Sequence, residues 1–260
     1  MKSVSRHSIR YLVGSIFREA GEAMDRMGCF LQGSMAYKEE LNRTRRVMGF
    51  LGNNPTIQST DVFIAPNASV IGKVTIGPKS SIWYNTVVRG DVNTIKIGEN
   101  TNIQDRVVIH CTGKSGHEKP TIIGNNVTVE SGAILHACTL EDECYVGMGA
   151  TVLDGAVVGK GAMIAPGSVV TPGTTVPSGE IWAGVPAKKL RELTPEEQAS
   201  IMKSATENAE LAQVHKEETD KEFETLLRDM EKFKFREDRL QDYTYEKVED
   251  SQQSGPVKAL

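Results

Sequence analysis

Aromatic residues make up 6% of this 260-residue chain, and two of them are Trp. A core with so few rings must rest on Val, Ile, Leu and Ala, stacked in many small, similar units. No run of 18 apolar residues occurs, which excludes a transmembrane helix. Excess positive charge is lacking too: 30 Lys+Arg stand against 34 Asp+Glu, a net of −4. That balance argues against nucleic acid, which selects a basic face. The four cysteines, Cys29, Cys111, Cys138 and Cys144, form no C-x-x-C pair and no framework spacing. Reduced thiols in an intracellular compartment are the expectation.

The charge that is present is unevenly spread. Residues 1–54 carry 9 basic and 5 acidic side chains, residues 55–190 carry 10 and 11, and residues 191–260 carry 11 and 18. A basic leader, a neutral body and an acidic tail follow. In the body, aliphatic residues recur at Ile97, Ile103 and Ile109, and again at Ile123, Val129 and Leu135. They continue at Leu140, Val146, Val152, Val158, Ile164, Val170 and Val176, and nearly every step is six. Upstream, Ile71, Ile76, Ile82 and Val88 keep the beat with one five-residue step. A helix repeats at 3.6 and a simple strand at 2, so neither explains a sustained six. A parallel β-helix does, with one inward residue and one tight corner per flat side. Small residues such as Gly72, Gly77, Gly98, Gly124, Gly147 and Gly159 follow the aliphatics, where the backbone is crowded.

The flanks read differently. Ile9, Leu12, Val13, Ile16, Phe17, Ala20, Ala23, Met24 and Met27 have helical spacing. Thr194-Pro195-Glu196-Glu197 is a helix start, with Thr as N-cap, Pro at the first position and acids in the first turn. The stripe Ile201, Ala205, Asn208, Leu211, Val214 carries that helix to about Phe235. The expected division is a leader with an amphipathic helix over 1–54, a β-helix over 55–193, a C-terminal helix over 194–236 and a polar tail over 237–260. The C-terminal helix is a natural cover for an otherwise open solenoid.

Within the body sit Arg89-Gly90-Asp91-Val92-Asn93, Asn102-Ile103-Gln104-Asp105, Ile109-His110 and Leu135-His136-Ala137-Cys138. Val146-Gly147-Met148-Gly149-Ala150 and the run from Pro177 to Ala187 follow. Together these resemble the γ-class carbonic anhydrases, most closely the mitochondrial ones built into respiratory complex I of plants, algae and some protists. The likeness covers roughly 55–193. The leader stretch 21–29 also resembles the complex I members. It implies an all-β solenoid, a left-handed parallel β-helix of three sides with 18 residues per coil, with an N-terminal helix and a long C-terminal helix. It also implies a trimer with metal sites between subunits, and hence other γ-carbonic anhydrase subunits and the complex I membrane arm as partners. The expected location is the matrix side of the mitochondrial inner membrane. Lys2, Arg6, Arg10 and Arg18, with serines and no acid before Glu19, look like a mitochondrial address. The same helix suits contact with an anionic membrane surface.

A catalytic zinc takes three protein ligands and keeps one position open. By resemblance those ligands are His110, His136 and a third His that reads Ser131 here. His110 and His136 are 26 residues apart, and the loop after Cys111 shifts the beat by eight. The remaining eighteen are one coil, so the two rings stack on adjacent rungs. In the family the missing ligand comes from the neighbouring subunit. Zinc is therefore expected on His110 and His136 only where a neighbour supplies the third His. His117, in the inserted loop, reads as a solvent-exposed residue rather than a substitute. Gln104 is the implied hydrogen-bond partner of the attacking hydroxide, with Asn102 two residues before it on the same face. Arg89 and Asp91 are the implied ion pair that organises the trimer beside the site. The sequence thus favours an accessory and assembly subunit of NADH:ubiquinone oxidoreductase, complex I, within a heterotrimer. The alternatives are a working zinc carbonic anhydrase with a shared site, or a hexapeptide acyltransferase, which uses the same β-helix.

Overall fold

The computed structural model describes residues 9–33, 45–113, 118–221, 225–226 and 228–230. The chain divides into two units, Met1–Thr44 and Arg45–Leu260. The first contains helix α1, Ile9–Gln32. Ile9, Leu12, Val13, Ile16, Phe17, Met24 and Met27 are exposed along it. Among the described residues no helix is long and apolar enough to cross a membrane.

The second unit is a parallel β-solenoid with three faces, closed by helix α2, Pro195–Thr219. Most of its strands are two or three residues long, too short to persist alone, and each pairs in parallel with the rung before and the rung after. Face one runs through Val87, Val108, Ile134, Thr151 and Val169 in register. Face two runs through Ile95, Thr121, Thr139, Val157 and Thr175, with Thr139 set against Ile122. Face three runs through Phe63, Ser81, Asn102, Thr128, Tyr145 and Met163. The long strand Val87–Ile97 bends across the first corner and contributes to faces one and two.

The six-residue beat is the inward column, except that Val70 rather than Ile71 is its member one coil before Val88, which removes the five-residue step. Val88, Ile103, Ile109, Val129, Leu135, Val146, Val152, Val158, Ile164, Val170 and Val176 are 0% exposed. Each such side chain stabilises by about 1.5–3 kcal/mol relative to exposure. The glycines divide by cause. Gly149, Gly155, Gly161, Gly167, Gly173 and Gly179 take φ of 64 to 72° at successive corners. Gly98 lies elsewhere: a Cβ there would meet the Gly124 carbonyl oxygen at 2.5 Å. Three of the rings, Phe63, Trp83 and Tyr84, gather where α2 covers the first coils. Phe63 packs edge-on to Trp83 at 5.5 Å, and His215 sits 4.9 Å from Trp83. The Tyr84 hydroxyl is 2.9 Å from His215 Nδ1.

Helix α2 begins as its sequence predicts. Thr194 caps it, Pro195 follows, and Glu197 closes a capping box with Thr194. Arg191 also grips Glu197 with two hydrogen bonds, of 2.7 and 2.8 Å. The Arg191 bonds, with the Thr194 amide, hold the Glu197 carboxyl down to about 2, against an ordinary 4.5. A depressed carboxyl contributes stability above its unfolded value and loses it as pH falls through the folded one. The Tm difference between the native chain and Glu197→Gln should therefore be constant above about pH 5 and shrink towards pH 2. A difference that does not change over that window contradicts the assignment.

The buried stripe of α2 differs from the expected one. Ile201, Ala205 and Ala212 are buried, whereas Leu211 and Val214 are 48% and 55% exposed. At 3.6 residues per turn the contact line drifts from Ala205 to Ala212, turning Leu211 and Val214 outward. Another difference lies upstream: Val47–Met48 pairs with Val70–Ile71, so strand pairing starts before residue 55.

Cys111, Cys138 and Cys144 are buried and form no disulfide. Burial pushes the Cys144 thiol up to about 12, and the thiol donates to the Gly159 and Val158 carbonyls at 3.2 and 3.5 Å. A thiol held neutral is a poor nucleophile. Mass spectrometry after iodoacetamide treatment at neutral pH should find Cys144 unmodified in the folded chain and modified after denaturation. Rapid alkylation of the folded chain contradicts the burial.

Candidate metal half-site

The strands Val108–His110 and Ile134–His136 are adjacent on face one, and their register sets His136 directly over His110. Ile109 and Leu135 point inward just before them, so strand alternation turns both imidazoles outward at the corner. Arg89 is the next partner in the same column. Ala137, at φ 49°, turns the chain immediately after His136. Its N–H reaches the His110 carbonyl at 3.1 Å and the Thr121 hydroxyl at 3.0 Å. Thr121 in turn donates to that same carbonyl, so one buried hydroxyl fixes the backbone beside both rings.

The two rings face each other. His110 Nδ1 and His136 Nε2 are 3.2 Å apart, with ring centroids at 5.2 Å. Each outer nitrogen is held by a carboxylate. His110 Nε2 is 3.1 Å from Asp91 Oδ1, and His136 Nδ1 contacts Asp154 Oδ1. Burial raises the Asp91 carboxyl, but the His110 hydrogen bond and the Arg89 charge outweigh it and leave it below the usual carboxylate value. An ionised carboxylate accepts only, so with both rings neutral the N–H of each goes to its carboxylate and both inner nitrogens keep lone pairs, whereas with one ring protonated the same 3.2 Å contact is an N–H···N hydrogen bond. Two lone pairs at this separation repel unless a cation lies between them. Two imidazole nitrogens on a tetrahedral zinc at about 2.0–2.1 Å stand ~3.3 Å apart. The donor pair therefore fits zinc as two of its ligands. Among the described residues no group of three His, Cys, Asp or Glu converges to complete it.

Arg89 Nε lies 3.6 Å from Asp91 Oδ2 within the chain, with Arg89 half exposed. Gln104 and Asn102 lie apart from the histidines, on face three under α2. Gln104 Nε2 donates to Asn208 Oδ1 at 3.0 Å, and Asn102 Nδ2 donates to the Ala205 carbonyl at 3.0 Å. Asn102 also accepts from the Ser81 hydroxyl at 2.7 Å. The physical reason is the repeat: Gln104 precedes His110 by six residues, which is one side of the prism. Ser131 shares the Gln104 corner, since the Gly132 amide bonds the Asp105 carbonyl one rung below. His117 lies outside the described residues. Asp154 and Thr121 escape the sequence reading, and Asn208 enters it only as part of the α2 stripe, not as the partner of Gln104. Asp154 was reachable, because adding one eighteen-residue coil to His136 lands on it. Asn208 and Thr121 carry no such signal.

A hexapeptide solenoid with a paired-histidine corner is thus the class that fold and site define. The model for bacterial transferase hexapeptides (six repeats) matches residues 137–172. "Gamma carbonic anhydrase 1, mitochondrial" of Arabidopsis thaliana is 50% identical over 225 residues, covering 84% of this chain and 82% of that protein. A probable carbonic anhydrase of Methanocaldococcus jannaschii is 52% identical over 155 residues, covering 60% of this chain and 95% of that one. Among solved structures, a hexapeptide transferase family protein from Anaplasma phagocytophilum is 47% identical with a TM-score of 0.60, covering 64% of this chain and 96% of that chain. The chain belongs to the γ carbonic anhydrase family, in its plant-type branch, and close homologues are mitochondrial.

Proposed function

We propose that this chain is an assembly subunit of mitochondrial respiratory complex I, placed in a heterotrimer on the matrix side of the inner membrane. In that trimer it offers His110 and His136 to a zinc completed by a histidine of a neighbouring γ-family subunit. One observation carries the reading: two imidazoles at zinc-ligand spacing with no third ligand among the described residues, and Ser131 one corner away. The neutral solenoid is the trimer-forming body. The exposed apolar stripe of α1, with Arg18 and Arg26 beside it, suits a membrane surface.

Two half-sites follow. The His110–His136 corner, with Asp91 and Arg89, faces one neighbour, and the Gln104–Asn208–Ser131 corner faces the other. Zinc bound at the first would supply a nucleophilic hydroxide at neutral pH for CO2 hydration. His110 and His136 would hold it, and Asp91 and Asp154 would fix the rings. The Ser131 corner lacks its ligand and would stay inactive. The donor geometry serves a structural and a catalytic metal alike, and a CO2-hydration assay on the reconstituted heterotrimer separates the two roles.

Native gel separation of detergent-solubilised mitochondrial inner membranes tests the assembly reading. A tagged copy of the chain should migrate with NADH dehydrogenase activity. Recovery only as a free trimer in the matrix fraction would count against it.

A further inference from the structure

Asp154 sits in the turn Val152-Leu153-Asp154-Gly155, one rung beyond His136. Its backbone is tied on both sides. The Gly155 N–H donates to the Ala137 carbonyl at 2.7 Å, and the Gly173 N–H donates to the Asp154 carbonyl at 2.9 Å. Gly155 takes φ 69°, which brings the turn back over Ala137. The backbone that carries Asp154 is therefore fixed on both sides, and its partly exposed carboxylate reaches His136 Nδ1. The geometry is matched at the other end of the pair, where Asp91 holds His110 Nε2 at 3.1 Å.

We propose that Asp154 is a positioning residue that holds His136 with its proton on Nδ1 and its Nε2 lone pair directed at His110. Four side chains then form one line, Asp91, His110, His136, Asp154, in which the outer carboxylates dictate which inner nitrogens are free to bind. A free neutral histidine in water instead favours the Nε2–H form, and its ring rotates. With the tautomer and the ring angle set beforehand, a metal or other cation meets a prepared pair of donors, and carboxylates that hold a ligating ring in this way change metal affinity by about 10–100-fold. The effect on metal rests on the zinc reading above; the effect on the ring does not.

The test uses the full-length chain with 15N-labelled histidine, of which there are five. Side-chain 15N–1H correlations are recorded metal-free at mildly alkaline pH, with His136→Gln providing the assignment. The native chain should show His136 protonated at Nδ1. Asp154→Ala should move it towards the Nε2–H form with little change in Tm, and Asp154→Asn, which keeps an acceptor oxygen, should restore much of the native signal. In parallel, cobalt titration is read from its visible absorption in a Ser131→His background. Asp154→Ala should weaken binding about 10–100-fold there. An unchanged His136 tautomer in Asp154→Ala overturns the proposal, as does unchanged cobalt affinity. If the Ser131→His chain binds no cobalt at all, the zinc reading fails while the tautomer spectra still decide the role of Asp154.

Discussion

Ser131→His should raise the zinc affinity of this chain, purified alone, by about a hundredfold. Apparent binding energies of four-ligand zinc sites near 10–16 kcal/mol amount to about 3 kcal/mol per ligand, which is roughly two decades in Kd. The substitution installs that ligand at the corner where the family likeness expects it, one prism side away from His136. It cannot act within its own chain, because the Ser131 corner and the His110–His136 corner lie on different edges of the solenoid. The gain therefore requires a second copy, and it should vanish at protein concentrations too low for trimers. Isothermal titration above and below the dissociation range reads both effects. A gain that persists in the monomer would mean that the third ligand comes from within the chain, and an absent gain in a stable trimer would mean that the two corners do not meet.

Ile123→Asp should prevent the solenoid from accumulating as a folded species. Ile123 is 2% exposed and sits in the column between Ile97 and Leu140. Removing a buried aliphatic of this size costs about 2–5 kcal/mol. Placing a carboxyl group in the cavity adds several kcal/mol more, charged or forced neutral. Together these approach the 5–15 kcal/mol that holds an ordinary domain. Coupling between rungs spreads the damage, since each coil is stable only against its neighbours. Ile122→Asp, on the same strand but 38% exposed, is the control. Circular dichroism should show β structure lost in the first variant and kept in the second. Equal tolerance of both would remove the inward column as the source of stability.

The six-residue beat was legible because the inward column admits only aliphatics, while outward and corner positions accept nearly anything. The stacking of His110 on His136 was legible for the same reason: once the inserted loop is discounted, register is arithmetic. What resisted was rotation and reach. Asn102 and Gln104 share a face with each other, as strand alternation demands, yet α2 lies over that face and takes their amides. Whether a helix covers a face depends on where the chain returns after 90 further residues or so, and no local spacing encodes that. Leu211 and Val214 looked like core on a helical wheel, but the contact line follows Ala205 to Ala212, where small side chains let α2 approach the sheet. The carboxylate of Asp154 was missed because a turn Asp followed by Gly reads as a corner and nothing more. Its role appears only when the rung below is known to end in a histidine.

In the proposed function the chain carries two of the three protein ligands of a metal site and a neighbour supplies the third. Elemental analysis decides it most directly: zinc per His110–His136 pair is measured for the chain purified alone and for the chain co-purified with a γ-family subunit that has histidine at the Ser131 position. Zinc well below one per pair is expected in the first preparation, and close to one per pair at that junction in the second. Full zinc occupancy in the chain purified alone would contradict it.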